Sequence, residues 1–149
     1  MTTITDDHAE ILRVMQLYID GFNDNDISKF KSAFHEDAWI FFIDADGILR
    51  HHLLSESFQN WSAPPSWDVV GRFISVTHVG DAAAVQLSWR RGSNEFIDFH
   101  NLLRINGVWK ITNKRHSQRQ NTQFSRLSPT LTRSFAVRRG SNCQIRSTK

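Results

Sequence analysis

The chain has little to staple or anchor it. Of its 149 residues only Cys143 is a cysteine, so no intrachain disulfide can form. A chain of this length buries enough apolar surface to fold as one domain without disulfides or metal. No apolar run approaches the roughly 18 residues that a membrane span needs. The opening MTTITDDHAE is acidic and lacks the apolar core of a signal peptide. A soluble, cytoplasmic protein with no membrane partner is therefore expected. Chemistry-bearing motifs are also scarce. There is no Gly-x-Ser-x-Gly elbow and no phosphate-cradling glycine loop, and the one thiol lies near the C-terminus. No cofactor is implied, and nucleophilic catalysis has no support. His51-His52 are adjacent, and on an extended chain neighbours face opposite ways and do not chelate one ion.

Acidic residues are missing from the last fifth of the chain. Residues 1–117 hold all fifteen Asp and Glu with eleven Lys and Arg, a net −4, whereas residues 118–149 hold seven Lys and Arg, a net +7. The overall +3 is thus a property of the tail. Residues 118–149 are rich in Ser, Thr, Asn, Gln and Arg, and their single hydrophobes follow no period. Such a segment buries too little to offset the entropy of ordering, so a disordered basic tail after a 1–117 domain is expected. It lacks the dense Lys/Arg run of a nucleic-acid arm, and nucleic acid is not an expected partner.

Aromatics are plentiful: eleven Phe and five Trp supply a core. Ile11, Met15, Tyr18 and Phe22 step by 4, 3 and 4, which predicts a helix over 7–22, with Asp7 and Glu10 as its capping box. Asp26 is a cap for a second short helix whose buried side carries Ile27, Phe30 and Phe34. AWIFFID (38–44) reads as a strand, DADG as a turn, and 53–62 as a third helix with Leu54, Phe58 and Trp61 on its stripe, ended by Pro64-Pro65. Four strand-like runs follow. Gly71 in the first suggests a bulge or bend, Gly80-Asp81 a turn, and Asn106-Gly107 a tight hairpin turn with positive φ at both positions. Helices segregated from a run of strands predict an α+β fold. A bent antiparallel sheet curling around three helices would leave an open mouth, and such mouths hold ligands.

The run NEFIDFHNLLRI (94–105) carries Asp98, His100 and Asn101 in mid-strand. Asp98 and His100 share a face, and Asn101 takes the other. Sequence does not decide which face is inward. An inward Asp98 would sit in an apolar cavity as an acid or base, and an outward one at a surface or interface. An aspartate can orient an imidazole, but side chains two apart on a strand stand almost 7 Å from each other, so contact is not assured. His35 and Asp37 in FHEDA are read as fixing the turn into the first strand.

The stretches LYIDGFNDNDISKFKSAFHEDA, DADGILRHHLL and FIDFHNLLRINGVWKITNK resemble the nuclear transport factor 2-like superfamily, and more narrowly its lumazine-binding branch, over about residues 5–117. The resemblance implies a cone-shaped curved antiparallel sheet wrapped around three N-terminal helices, a cystatin-like arrangement, and a homodimer formed through the sheet face. It also implies an apolar pocket for a small hydrophobic or heterocyclic molecule. The superfamily includes ketosteroid isomerases, SnoaL-type polyketide cyclases and scytalone dehydratases as well as proteins that only bind. On the isomerase pattern Tyr18 stands at the position of the phenol that donates to an oxyanion. The base position falls on Phe42, with Asp44 two residues further beside a turn, so the base is missing or displaced. The second donor is Asn101 or Asp98, depending on alignment. Tyr18, Asp98 and His100 are thus the candidate catalytic residues. Phe22, Trp39, Phe42, Trp61, Asn101 and Asn113 are the candidate ligand-lining ones. The favoured expectation is a small-molecule-binding domain. Its alternatives are an isomerase, cyclase or dehydratase acting on an apolar cyclic carbonyl compound, and a dimerising scaffold with a vestigial cavity.

Overall fold

The computed structural model describes residues 4–59, 61 and 68–119; the basic tail from residue 120 onward and Pro64-Pro65 lie outside them. Helix α1 (Ile4–Asn23) buries Ile11, Val14, Met15, Tyr18 and Ile19 along one side. It starts three residues before the expected position, so Asp7 is inside the helix and not its cap. Its buried carboxylate instead accepts from Arg104 Nη1 at 2.7 Å and Trp109 Nε1 at 3.3 Å. Once that carboxylate is out of water, two side-chain donors serve it better than a helix terminus could. Helix α2 (Ile27–Ala33) begins as expected, with Asp26 Oδ1 accepting from Ser28 N at 2.8 Å.

Strand β1 (Phe34–Ile43) follows α2 directly and starts four residues earlier than predicted, so Phe34 opens a strand. Strand β2 (Leu49–Leu53) pairs antiparallel with β1 and was not anticipated: LRHHL is too short and too polar to read as a strand alone. Asp44 holds the intervening turn, accepting from Asp46 N, Ile48 N and Arg50 Nε. Helix α3 (Leu54–Gln59) is shorter than the predicted 53–62, and Trp61 follows it.

The four remaining strands match the four runs: β3 (Val69–Val79), β4 (Ala82–Arg91), β5 (Asn94–Ile105) and β6 (Val108–Arg119). Asn106 (φ 51°) and Gly107 (φ 80°) make the β5–β6 turn as the dipeptide requires. The strand order is β2-β1-β6-β5-β4-β3. Every neighbouring pair is antiparallel except β1 with β6, which is parallel. That pairing returns the meander to the first strand, and the curved, unclosed sheet packs its inner face on the helices. Among the described residues no helix is long and apolar enough to cross a membrane.

Bulges interrupt the register at three places: in β1 between Phe34 and Trp39, in β3 at Ile74, and in β6 at Thr112. The β3 bulge therefore lies three residues past Gly71. Gly71 serves a different purpose, because a Cβ there would sit 2.5 Å from Ile19 Cδ1 and 3.2 Å from Cγ1. Only hydrogen at this position lets α1 reach the sheet. Gly71→Ala is expected to destabilise the fold by about 1–2 kcal/mol. Adding Ile19→Val, which removes Cδ1, should recover part of that loss. Urea unfolding of the two single variants and the double variant checks this, and simple additivity would refute the steric account.

Candidate functional site

The period-2 alternation of β5 turns Asp98, His100 and Leu102 to the inner face, all of them buried, and leaves Phe99, Asn101 and Leu103 outside. On β6 the turn-proximal residues Trp109 and Ile111 point inward. A strict alternation would send Asn113 and Arg115 inward after them. The extra residue at Thr112 reverses the phase, because Leu102 pairs with Ile111 while Asn101 pairs with Asn113. Lys114 and His116 therefore face the interior, directly across from His100 and Asp98.

The result is a carboxylate with four partners. Asp98 Oδ2 accepts from Tyr18 Oη at 2.8 Å and Trp89 Nε1 at 2.8 Å, and the Lys114 ammonium stands 3.0 Å from it as an ion pair. Its Oδ1 accepts from His116 Nδ1 at 2.7 Å. Lys114 Nζ also donates to Tyr18 Oη at 2.6 Å. Burial alone would raise the Asp98 pKa. The Lys114 charge, the His116 hydrogen bond and, more weakly, His100 outweigh it and hold Asp98 well below the usual carboxylate range. Burial, and then the charge and hydrogen bond of Asp98, push the Tyr18 phenol well above its ordinary value. Asp98 is thus an ionised acceptor, and Tyr18 is a neutral donor whose proton is already committed.

His100 is fully buried, yet it does not pair with Asp98. Among the described residues neither ring nitrogen has a hydrogen-bond partner. The ring meets the edge of Tyr18 at 4.9 Å and lies 6.4 Å from Phe34. Desolvation pulls its pKa down to about 3, so it is a neutral ring in an aromatic setting. An aspartate-oriented imidazole does exist, but it is His116 of β6. No sequence signal pointed to Lys114 or His116, because the bulge that turns them inward has no residue signature in KITNKRH.

Beside the carboxylate, rings stack in series. Phe22 lies 5.5 Å from Trp89 at 19°, Trp89 lies 4.2 Å from Phe96 at 18°, and Phe96 lies 5.1 Å from His116 at 27°. Trp61 flanks Phe22 at 6.4 Å and donates Nε1–H to Asn25 Oδ1. Phe42 is the β1 partner of His116. Phe22, Phe42 and Trp61 thus gather on the inner side. Trp39, Asn101 and Asn113 do not; they lie on the outer face, set there by the phase of β1, β5 and β6. They line shallow hollows, one with Trp39, Phe41, His51 and Asn113, another with Asn101, Leu103 and Val79. A third hollow of about 300 Å³ lies between α2, β1 and α3, lined by Lys31, Phe34, His35, Leu54 and Phe58. None of these three hollows includes Tyr18 or Asp98. His35, Glu36 and Asp37 come within metal-ligand reach of one another, but they are largely exposed, and His35 Nδ1 accepts from Asp37 N at 3.2 Å.

The arrangement can orient an imidazole and offer ring faces. It is poorly suited to isomerase-type proton transfer through Tyr18 and Asp98, since a base with four partners and a depressed pKa abstracts protons weakly.

Comparison with known proteins follows the same outline. The sequence model of the family described as "Putative lumazine-binding" matches residues 6–117. An NTF2-like protein of unknown function from Shewanella baltica is 24% identical with a TM-score of 0.74, the match covering 80% of this chain and 99% of that one. Another from Methylobacillus flagellatus is 25% identical with a TM-score of 0.69, covering 80% and 96%. The association domain of C. elegans CaMKII is similar at 16% identity and a TM-score of 0.60, covering 76% and 96%. No protein of curated function matches the sequence.

Lys114→Met is expected to cost about 3–5 kcal/mol, because it leaves a buried carboxylate without its cation. Adding Asp98→Asn should restore part of that loss; chemical denaturation of the single and double variants tests the coupling. His100 gives a pH signature. Its folded pKa lies near 3 against 6.5 for the free group, so it is neutral in both states above about pH 6.5. Below that the unfolded chain takes up a proton that the folded chain refuses. Stability then falls by up to about 1.4 kcal/mol per pH unit until about pH 3. Asp98 adds to the acid loss only lower down, as pH falls from the ordinary carboxylate pKa of about 4 toward its depressed folded value. His100→Leu should flatten the slope between about pH 6 and 4 by one proton. An unchanged slope would mean that His100 is not the neutral buried group.

Proposed function

Since the chain belongs to the putative lumazine-binding family, with an NTF2-like fold, we propose that it is a small-molecule-binding domain whose ligand is a planar heterocycle. In this reading the ligand packs on the ring-lined inner side at the open end of the sheet. The observation that carries it is the stack Phe22–Trp89–Phe96–His116, in which Phe96 and His116 are only half-buried although they adjoin the buried Trp89 and Asp98. Half-exposed parallel rings offer a further flat molecule a face to stack on. Acid–base catalysis through Tyr18 and Asp98 has less support, for the reasons of hydrogen bonding and charge given above.

A homodimer through the outer sheet face is part of the same proposal. That face exposes Trp39 (38%), Phe99 (40%) and Leu103 (44%). Exposed rings and a leucine on one face of a sheet favour a covered surface.

A melting-shift screen against flavin-like heterocycles, steroids and aromatic polyketides tests the binding reading. A planar heterocycle at a hundred times its Kd should add about 2.7 kcal/mol, a rise of several degrees. Phe22→Ala and Trp61→Ala should weaken that binding about tenfold or more, whereas Trp39→Ala should leave it intact. A site sensitive to Trp39 instead would move the ligand to the outer face, and no shift from any class would end the proposal. For the dimer, light scattering should give twice the monomer mass. Phe99→Glu should halve it while changing unfolding of the monomer by less than about 1 kcal/mol.

A further inference from the structure

Resting on the heterocycle-binding reading, the geometry assigns His116 as the group that recognises the edge of the ligand through a hydrogen bond accepted at Nε2. Asp98 is ionised and therefore only an acceptor, so the proton in the 2.7 Å contact belongs to His116 Nδ1. A neutral imidazole with its proton on Nδ1 presents a lone pair at Nε2. No hydrogen bond to Nε2 occurs among the described residues. Phe96 covers one face of the ring, and the Nδ1 side meets a fully buried carboxylate. The His116 side chain is 26% exposed, and its Nε2 edge is covered by neither Phe96 nor Asp98.

Three other groups keep the acceptor fixed. Tyr18, Trp89 and Lys114 fill Oδ2, which leaves Oδ1 to the imidazole. The bulge at Thr112 turns His116 inward, and Phe42 and Asp98 flank it across β1 and β5. Lys114 balances the charge of Asp98, so the pair presents a neutral acceptor and not an anion. The ligand chemistry that fits is a flat ring with an N–H or enolic O–H on its edge, stacked beside Phe96 with that donor aimed at Nε2. A ring of the same shape with every such hydrogen replaced by methyl would stack but lose the hydrogen bond.

Two measurements test this. The first needs no ligand: above about pH 8, where free imidazoles are neutral, nitrogen NMR should show His116 as the Nδ1–H tautomer. An Nε2–H tautomer would overturn the assignment. The second compares lumazine, which carries ring N–H donors, with 1,3-dimethyllumazine, which carries none, by quenching of tryptophan fluorescence. The wild type should prefer lumazine by about fivefold or more, the worth of one neutral hydrogen bond. His116→Phe keeps the stack on Phe96 and should bring the ratio close to one. His116→Asn offers Asp98 a donor, while its amide oxygen, bonded at Cγ, stops short of the Nε2 position, and it should do the same if the phenylalanine variant fails to fold. If both compounds bind and the wild-type ratio persists in these variants, His116 is not the reader and the binding reading alone survives. If neither compound binds, the assignment of His116 falls, and the binding reading is decided by the melting-shift screen.

Discussion

The carboxylate of Asp98 carries a full charge with no access to water, and much of the fold is organised around supplying it with donors. A bare buried anion is intolerable, and a buried anion with three hydrogen bonds and a neighbouring ammonium is not. The donors come from α1, β4 and β6, while the carboxylate comes from β5. One side chain thus joins the first helix to three neighbouring strands. The same saturation limits its chemistry. Tyr18 and Asp98 are candidate reacting groups on the isomerase resemblance, but each is the other's partner. What is left with a free valence is the imidazole at the outer end of the cluster.

The bulge at Thr112 makes this cluster possible. One extra residue in β6 exchanges the faces of everything beyond it, so that Lys114 and His116 enter the interior and Asn113 and Arg115 leave it. The curved sheet then has two surfaces of different character. The inner one carries charge sealed beneath stacked rings, and the outer one carries Trp39, Phe99 and Leu103 in open view. We propose small-molecule recognition for the first and self-association for the second. A fold used this widely selects neither; the side chains on each face do.

Much of the architecture was legible in the residues. Ile11, Met15 and Tyr18 share one stripe because the helical period leaves no other arrangement. Asp26 caps α2 because its side chain reaches a free backbone N–H. Asn106-Gly107 turns because both positions accept positive φ. The shared face of Asp98 and His100 followed from strand geometry alone. Local rules governed each of these, so local sequence sufficed.

The rest was decided by packing at a distance. Asp7 left its expected cap because Arg104 and Trp109, nearly a hundred residues on, compete for it. β2 is a strand because β1 is there to pair with it. Which face of β5 is inward, and which histidine meets Asp98, depended on the phase of β6 after Thr112. A bulge costs little locally and is set by the curvature of the whole sheet, so a single strand does not reveal it. Sequence by itself determined every element but β2, and the alternation within each strand. Only the tertiary structure chose the phase between strands, because that choice minimises the energy of a buried charge whose partners lie far apart in the chain.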